Sequence, residues 1–306
     1  MKKQILTTFL IMLTAFLMAQ GNNSHTIISE ETDFLLVKII DGLENPWALS
    51  FLPGDGGLLI SERPGRLNLL KEAKLIPITG LPDISSIGQG GLLDVIIDPE
   101  FIVNKLIYFS YSESGTGGYG TAVARAVLSG SNLINMEIIF RVTPKSSGGH
   151  HFGSRLLFGP DGFLYITLGE RGNMSNAQNL SHHGGSVVRI YPDGSIPIDN
   201  PFIKKQNALP EIFSYGHRNP QGMAIDTKTG LIWLHEHGPK GGDEVNILKA
   251  GANYGWPTVT YGINYNGTTI SKNTEKQGIE NPVIYWVPSI APSGMSGPAL
   301  MDPFIC

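Results

Sequence analysis

Four polar loops of the chain carry side chains suited to proton transfer, charge stabilisation and cation binding. The first reads Ser146-Ser-Gly-Gly-His-His-Phe-Gly-Ser-Arg155. A histidine in such a loop serves as a general base or a metal ligand, because its ordinary pKa lies near neutrality. His150 and His151 are adjacent, and on a strand they would face opposite ways. One is therefore read as functional and the other as structural; the plain alternative for either is an exposed, turn-capping side chain. The second loop holds His217-Arg-Asn-Pro220. Arg218 is always charged and suits an oxyanion or a carboxylate; a surface salt bridge is its ordinary alternative. The third, Ser86-Ile-Gly-Gln-Gly-Gly91, offers Gln89 as a donor to a ligand carbonyl, or simply as a turn residue. The fourth bends at Gly238-Pro239, exposing carbonyls, with Asp243-Glu244 close behind. Oxygen ligands of this kind suit calcium, although acidic turns are common without it. His235 and His237 alternate onto one face of a strand, but zinc would need a third ligand that the sequence does not name. His182-His183 precedes a strand and reads as a turn cap. The chain has no P-loop, no G-x-S-x-G elbow and no H-E-x-x-H.

A recurrent hairpin positions these loops. An apolar strand, a Pro/Gly/Asp turn and a second apolar strand run over residues 47–62 and end at Glu62. The theme returns at 92–98 with 105–111, at 155–170 ending in Glu170, and at 222–236 ending in Glu236. The second strands centre near Ile60, Ile107, Ile166 and Trp233, a period of roughly 40–50 residues with insertions, as in propeller blades of four strands. In the fourth copy, residues 223–225 and 231–234 are the predicted strands, joined by the turn at 226–230. No long 3.6-residue periodicity interrupts the pattern. A β-sandwich is the alternative; four copies of one hairpin favour the propeller. Three of the polar loops enter the first strand of a hairpin in the same relative place. In a propeller such loops share one face, so Gln89, His151 and Arg218 are expected to converge there.

Composition sets the class. Of 306 residues, 41% are hydrophobic and 16% charged, with a net charge of −4. That is a globular balance, with no basic footprint for nucleic acid. Gly 38 and Pro 20 suit many turns and short strands. Lys2 and Lys3 followed by the apolar run 5–18 form a secretory signal with cleavage expected after Ala19. The run is too short for a membrane anchor, which needs roughly 18–20 apolar residues. The single cysteine, Cys306, excludes an internal disulfide framework. The expected organisation is a signal peptide at 1–19, an extended lead-in at 20–33 and one propeller domain over 34–306, in a periplasmic or secreted protein.

The ordered motifs Asn45-Pro-Trp-Ala, Gly88-Gln-Gly-Gly-Leu-Leu-Asp94, His151-Phe-Gly-Ser-Arg155, Gly216-His-Arg-Asn-Pro-Gln-Gly222, Glu236-His-Gly-Pro-Lys-Gly-Gly-Asp-Glu244, Asn253-Tyr-Gly-Trp-Pro257 and Pro288-Ser-Ile-Ala-Pro-Ser-Gly-Met295 run through nearly the whole mature chain. In them the chain resembles the soluble aldose sugar dehydrogenases that use pyrroloquinoline quinone, the glucose/sorbosone dehydrogenase family. The resemblance implies an all-β, six-bladed propeller of four-stranded antiparallel blades, with the quinone over the central channel. It implies His151 as general base, Gln89 as a contact of substrate and cofactor, and Arg218 beside the reactive quinone carbonyl. Asn219 and His237 are implied as further cofactor contacts, and the main-chain oxygens of Gly238 and Pro239 as ligands of the calcium that holds the quinone. Glu244 and Tyr254 match a further calcium site of the aldose-type members. His150 stands where glucose-type members have an aspartate supporting the base.

The implied activity is oxidation of the anomeric hydroxyl of an aldose to a lactone, with hydride passing to the quinone and onward to an external electron acceptor. A calcium-dependent lactone hydrolase and a non-catalytic propeller that binds a protein or glycan are the competing readings. The family runs on past Met295 through roughly another blade, so the last blade is expected to be missing here. The 306-residue chain is accordingly expected to be poorly soluble and inactive on its own.

Overall fold

The computed structural model describes residues 24–30, 32–54, 57–296 and 304–305; the expected signal peptide lies outside them. The described residues up to Leu43 and those from Glu44 onward form separate compact units. In the first unit, β1 (Ser24–Ile27) pairs antiparallel with β2 (Phe34–Val37), so part of the expected lead-in is a ribbon. Backbone pairing with 34–37 satisfies donors that an isolated extended segment would leave to water.

The second unit contains four complete four-stranded antiparallel sheets, the blades of a propeller. Blade one is β3 (Pro46–Phe51), β4 (Leu58–Glu62), β5 (Arg66–Lys71) and β6 (Lys74–Ile78). Blade two is β7 (Leu92–Ile97), β8 (Leu106–Gly115), β9 (Gly118–Ser129) and β10 (Asn132–Arg141), with the one-turn helix α1 (Phe101–Asn104) between β7 and β8. Blade three is β11 (Leu156–Phe158), β12 (Leu164–Leu168), β13 (Ser186–Ile190) and β14 (Ile212–Tyr215). Blade four is β15 (Pro220–Ile225), β16 (Ile232–Glu236), β17 (Asp243–Ile247) and β18 (Ile284–Trp286). A two-stranded ribbon, β19 (Met295–Ser296) with β20 (Phe304–Ile305), follows. The first strand of each blade runs beside the first strand of the next: β3 by β7, β7 by β11, β11 by β15, β15 by β19.

The fourth hairpin is longer than its apolar residues suggest. β15 starts at Pro220 and β16 runs to Glu236, because Pro220 and Glu236 pair at the polar end. Backbone pairing does not require apolar side chains, so strands outlast their hydrophobic runs.

The core lies between blades. Leu59 and Leu67 of blade one pack with Val95, Phe109 and Ala124 of blade two. Tyr108 and Val123, on the other face of blade two, pack with Ile166 and Val188. Tyr165 and Val187 then meet Met223 and Leu234. Successive residues of β8 and β12 thus serve opposite cores, which is why these strands read as continuous apolar runs. Each fully buried Leu, Ile or Phe contributes about 1.5–3 kcal/mol.

A repeated polar bolt ties blade to blade. From the second strand of one blade, a buried hydroxyl donates to a carbonyl at the first strand of the next. Ser61 reaches the Leu93 oxygen, Ser110 Oγ that of Ser154 at 2.6 Å, and Thr167 Oγ1 that of Pro220 at 3.0 Å. Asp94 adds bonds to Arg155 Nη1 (3.0 Å) and the Leu156 amide (2.7 Å). In blade four His235 takes the place of Ser61, each directly preceding the closing glutamate. Gly222 leaves room for its ring, since a Cβ there would sit 2.2 Å from Nε2. Burial pushes His235 down to about 4; the Gly294 main chain lies near, without a hydrogen bond of good geometry.

Candidate active site

The three polar loops converge on one end of the channel. The loop at 86–91 lies against the loop at 148–151: the Gln89 amide donates to the Gly149 oxygen at 2.8 Å. Gly88 permits this approach, because it has φ +57° and a Cβ would stand 2.3 Å from that same oxygen. The Gln89 side chain also reaches across, its Oε1 accepting the His151 amide at 2.8 Å.

His151 sits in a loop, not on a strand, in the left-handed region at φ +53°. For a residue with a Cβ that conformation costs roughly 1–2 kcal/mol and persists only where surroundings over-determine it. Its Nδ1 lies 2.8 Å from Oε1 of Glu170, a carboxylate 1% exposed just past β12. With the proton on Nδ1 donated to that carboxylate, Nε2 keeps its lone pair. Burial holds the imidazole below the ordinary 6.5, with Glu170 opposing and Arg218 and His150 adding to the depression. The adjacent His150 is exposed, its ring centroid 6.2 Å from that of His151. Support for His151 thus comes from Glu170, not from position 150.

Gln89, Phe152, Asn219, Gln221 and His237 line a cavity of ≈ 190 Å³, with Trp47 and Arg63 on its blade-one side. His151 is joined to two of these wall residues, through its amide bond to Gln89 and the chain into Phe152. Arg155 stacks over Trp47 at 4.3 Å, a contact between the start of blade three and blade one. Asn219 spends its Oδ1 on the Gly153 amide (3.1 Å) and on Gln221 Nε2 (3.0 Å), which ties the His151 loop to blade four. The His237 amide donates to the Asn219 oxygen at 3.2 Å, and its ring Nε2 lies 2.6 Å from the Pro292 oxygen.

Arg218 is 7% exposed. Its Nη1 donates to the His237 oxygen (2.9 Å) and the Gly238 oxygen (2.8 Å). Its amide donates to Glu236 Oε2 at 2.6 Å, and Glu236 Oε1 lies 2.8 Å from His217 Nδ1. Gly238 and Glu244 gather beside it, buried Pro239 following Gly238 in the chain, and a second cavity of ≈ 10 Å³ is bounded by Glu236, Gly238, Glu244 and Tyr254. That is the room of one water molecule or one small cation. Glu236 and Glu244 are direct partners across β16 and β17. Burial, then the Glu236 charge, pushes the Glu244 carboxyl well above the usual range. Asn246 donates towards both carboxylates, while its Oδ1 is buried without a partner. Two carboxylates facing each other at so small a space fit a hard cation. The Tyr254 hydroxyl is spent elsewhere, donating to the Ile247 oxygen (2.6 Å) and accepting from the Lys249 amide (2.9 Å); its ring stacks on His217 at 4.4 Å.

The structure therefore brings Gln89, His151, Arg218, Asn219, His237 and Gly238 into one hydrogen-bonded group, with Glu244 and Tyr254 behind it. His182 and His183 stand apart, the first accepting the Gly184 amide and the second meeting Glu211 at 2.8 Å. Glu170, Glu236, Asn246 and Arg171 escaped sequence reasoning. The signal for two of them was present, since the hairpin copies end in Glu62, Glu170 and Glu236.

Comparison with known proteins matches residues 43–297 to the family model Glucose / Sorbosone dehydrogenase. Aldose sugar dehydrogenase YliI of Escherichia coli K12 is 48% identical over 263 residues, 84% of this chain and 71% of the relative. The apo-form crystal structure of the soluble E. coli aldose sugar dehydrogenase is similar with TM-score 0.82 at 47% identity, covering 84% of this chain and 76% of that one. The PQQ-bound aldose sugar dehydrogenase of Streptomyces coelicolor is similar with TM-score 0.73 at 28% identity, covering 94% and 86%.

Proposed function

This chain belongs to the glucose/sorbosone dehydrogenase family, and from that premise we propose that it oxidises the anomeric hydroxyl of an aldose to the lactone. The observation that carries the reading is the His151–Glu170 pair beside the cavity, with the Nε2 lone pair left free. The proton of the C1 hydroxyl moves to His151 Nε2, and loss of hydride from C1 completes the lactone carbonyl. Pyrroloquinoline quinone, when bound, supplies the two-electron acceptor for that hydride. Asn219, Gln89 and His237, on the cavity wall, would hold it. Arg218 engages only Nη1 among the described residues, so its other N–H groups are left to stabilise negative charge on an oxygen of a bound group.

Calcium is proposed at the carbonyls of Gly238 and Pro239, and a further cation between Glu236 and Glu244. For Tyr254 the contribution would be its main-chain oxygen, since its hydroxyl is committed to the 247–249 turn. A ring of six blades is part of the reading. It is supported by β19 running beside β15, and by Leu49 and Phe51 of β3, 59% and 70% exposed as if awaiting a neighbouring sheet. The charged and apolar run at residues 2–18 supports export to the periplasm or medium, with an external acceptor reoxidising the cofactor. No helix among the described residues is long and apolar enough to cross a membrane.

Dye-linked oxidation of aldoses by protein stripped with chelator and then given calcium and the quinone tests the proposal. Activity should appear only with both. Oxidation that survives exhaustive stripping, or lactone hydrolysis in place of oxidation, overturns it.

A further inference from the structure

Arg171 is a buried cation whose hydrogen bonds do not go to a carboxylate. It is 5% exposed and follows Glu170 directly, in the left-handed region at φ +68°. Buried Arg189, by contrast, is ion-paired, meeting Asp161 at 3.0 Å and Asp199 at 2.9 Å, while buried Arg218 in the site also donates to carbonyls. Arg155 meets Asp94 at 3.0 Å. Arg171 instead donates Nη1 to the His150 oxygen and Nη2 to the Gly148 oxygen. Its guanidinium carbon lies over the Phe152 ring, 3.4 Å from the centroid, and its Nε is buried without a partner. Burial of this unpaired charge pulls its pKa down to about 10.

A cation held at such cost must be organising what it touches. It touches the loop that carries the base, at the carbonyls one and three residues before His151, and the aromatic residue one after. Phe152 is itself a wall of the ≈ 190 Å³ cavity. The planar fork spans two carbonyls and stacks at once, which a lysine cannot do.

We propose that Arg171 is a positioning residue that clamps the loop at 148–152, holding the His151 imidazole against Glu170 and the Phe152 ring against the cavity. The inference rests on the reading of His151 as the general base. Gln89 fixes the His151 amide, Glu170 fixes Nδ1, and Arg171 fixes the chain leading in. Between them they over-determine the left-handed backbone of His151. Without the clamp, the loop can relax towards an ordinary backbone conformation and admit water.

The test replaces Arg171 by Met, which keeps length and removes every donor, and by Lys. Two readouts are followed: imidazole titration of His151 by NMR in the apoprotein, and sugar oxidation in protein given calcium and the quinone. The groups facing His151 are Glu170, Arg218 and His150. Burial is the largest influence on it, so admitting water should move its titration up towards the ordinary 6.5. In Arg171→Met, kcat should fall by about 10²-fold, the cost of misplacing a reacting group by about 1 Å, while KM changes far less. Arg171→Lys should shift both readouts in the same direction by less. An Arg171→Met protein with unchanged titration and kcat overturns the clamp. If Arg171→Met does not fold, unchanged values in Arg171→Lys overturn it equally. A His151→Ala enzyme that kept its turnover would remove the base assignment alone, because the apoprotein titration reads the clamp independently of the reaction.

Discussion

Blades three and four contain the same pair in the same place, put to different uses. In each, a histidine before the first strand meets, at 2.8 Å through Nδ1, a glutamate 19 residues later beyond or at the end of the second strand: His151 with Glu170, His217 with Glu236. The difference is the other ring nitrogen. His217 is wholly buried, its Nε2 lies 2.9 Å from Ser214 Oγ, and its ring is covered by Tyr254. Both nitrogens are spent, so His217 is a strut that aims the Arg218 backbone. His151 keeps one nitrogen uncommitted beside a cavity. An imidazole–carboxylate pair becomes a proton acceptor only when the fold leaves the second nitrogen free and reachable.

That contrast can be broken by exchanging the effects of the two histidines. His151→Ala should lower turnover by about 10²–10⁴-fold, the usual contribution of a general base, with little change in melting temperature. His217→Ala should do the reverse in stability. It strips the buried Glu236 carboxylate of a partner, at about 1–3 kcal/mol or more, and lowers the melting temperature measurably. A stably folded His217→Ala enzyme that loses more turnover than His151→Ala would refute the division of roles.

Replacing Glu170 by Gln should cost about 10²-fold in kcat, because the ring loses the group that orients it. It also sharpens the pH behaviour. The base works as neutral imidazole, and burial holds its pKa below 6.5, so the acid limb of kcat/KM should lie below that value. Glu170 favours the protonated ring, so its neutralisation should move the limb to still lower pH. A limb that moves upward in a pH–rate profile would contradict the assignment.

The blade-four glutamates predict a cation effect that blade three lacks. Calcium should raise the melting temperature of the apoprotein, by the equivalent of about 2.7 kcal/mol at a hundredfold excess over the dissociation constant. Glu244→Gln should abolish most of that rise while sparing the His151 titration. Calorimetry that finds equal stabilisation in both proteins would remove Glu244 from the site. The smallest effect is expected at exposed His150, where Ala should change kcat by no more than about twofold, the range of a surface substitution.

Short apolar strands, Gly and Pro turns and the recurring hairpin made the blades legible in the sequence, because strand propensity and turn chemistry are local properties. Blade symmetry then put Gln89, His151 and Arg218 on one face, and in the structure they stand together. Other features required the assembled sheets. Strand ends at Pro220 and Glu236 follow backbone pairing rather than hydrophobicity. The sequence named no partner for His151, since a histidine stands where glucose-type members have the supporting aspartate; the partner is Glu170, brought in by the pairing of β11 with β12 and the loop beyond. The three terminal glutamates were visible as a repeat. Their different chemistry was not, because Glu62 faces Arg66 and Asn68, Glu170 a histidine with a free nitrogen, and Glu236 a histidine with none. Local sequence specifies which groups each blade carries. Which of them end up without a partner, and so able to react, depends on close packing between elements far apart in the chain.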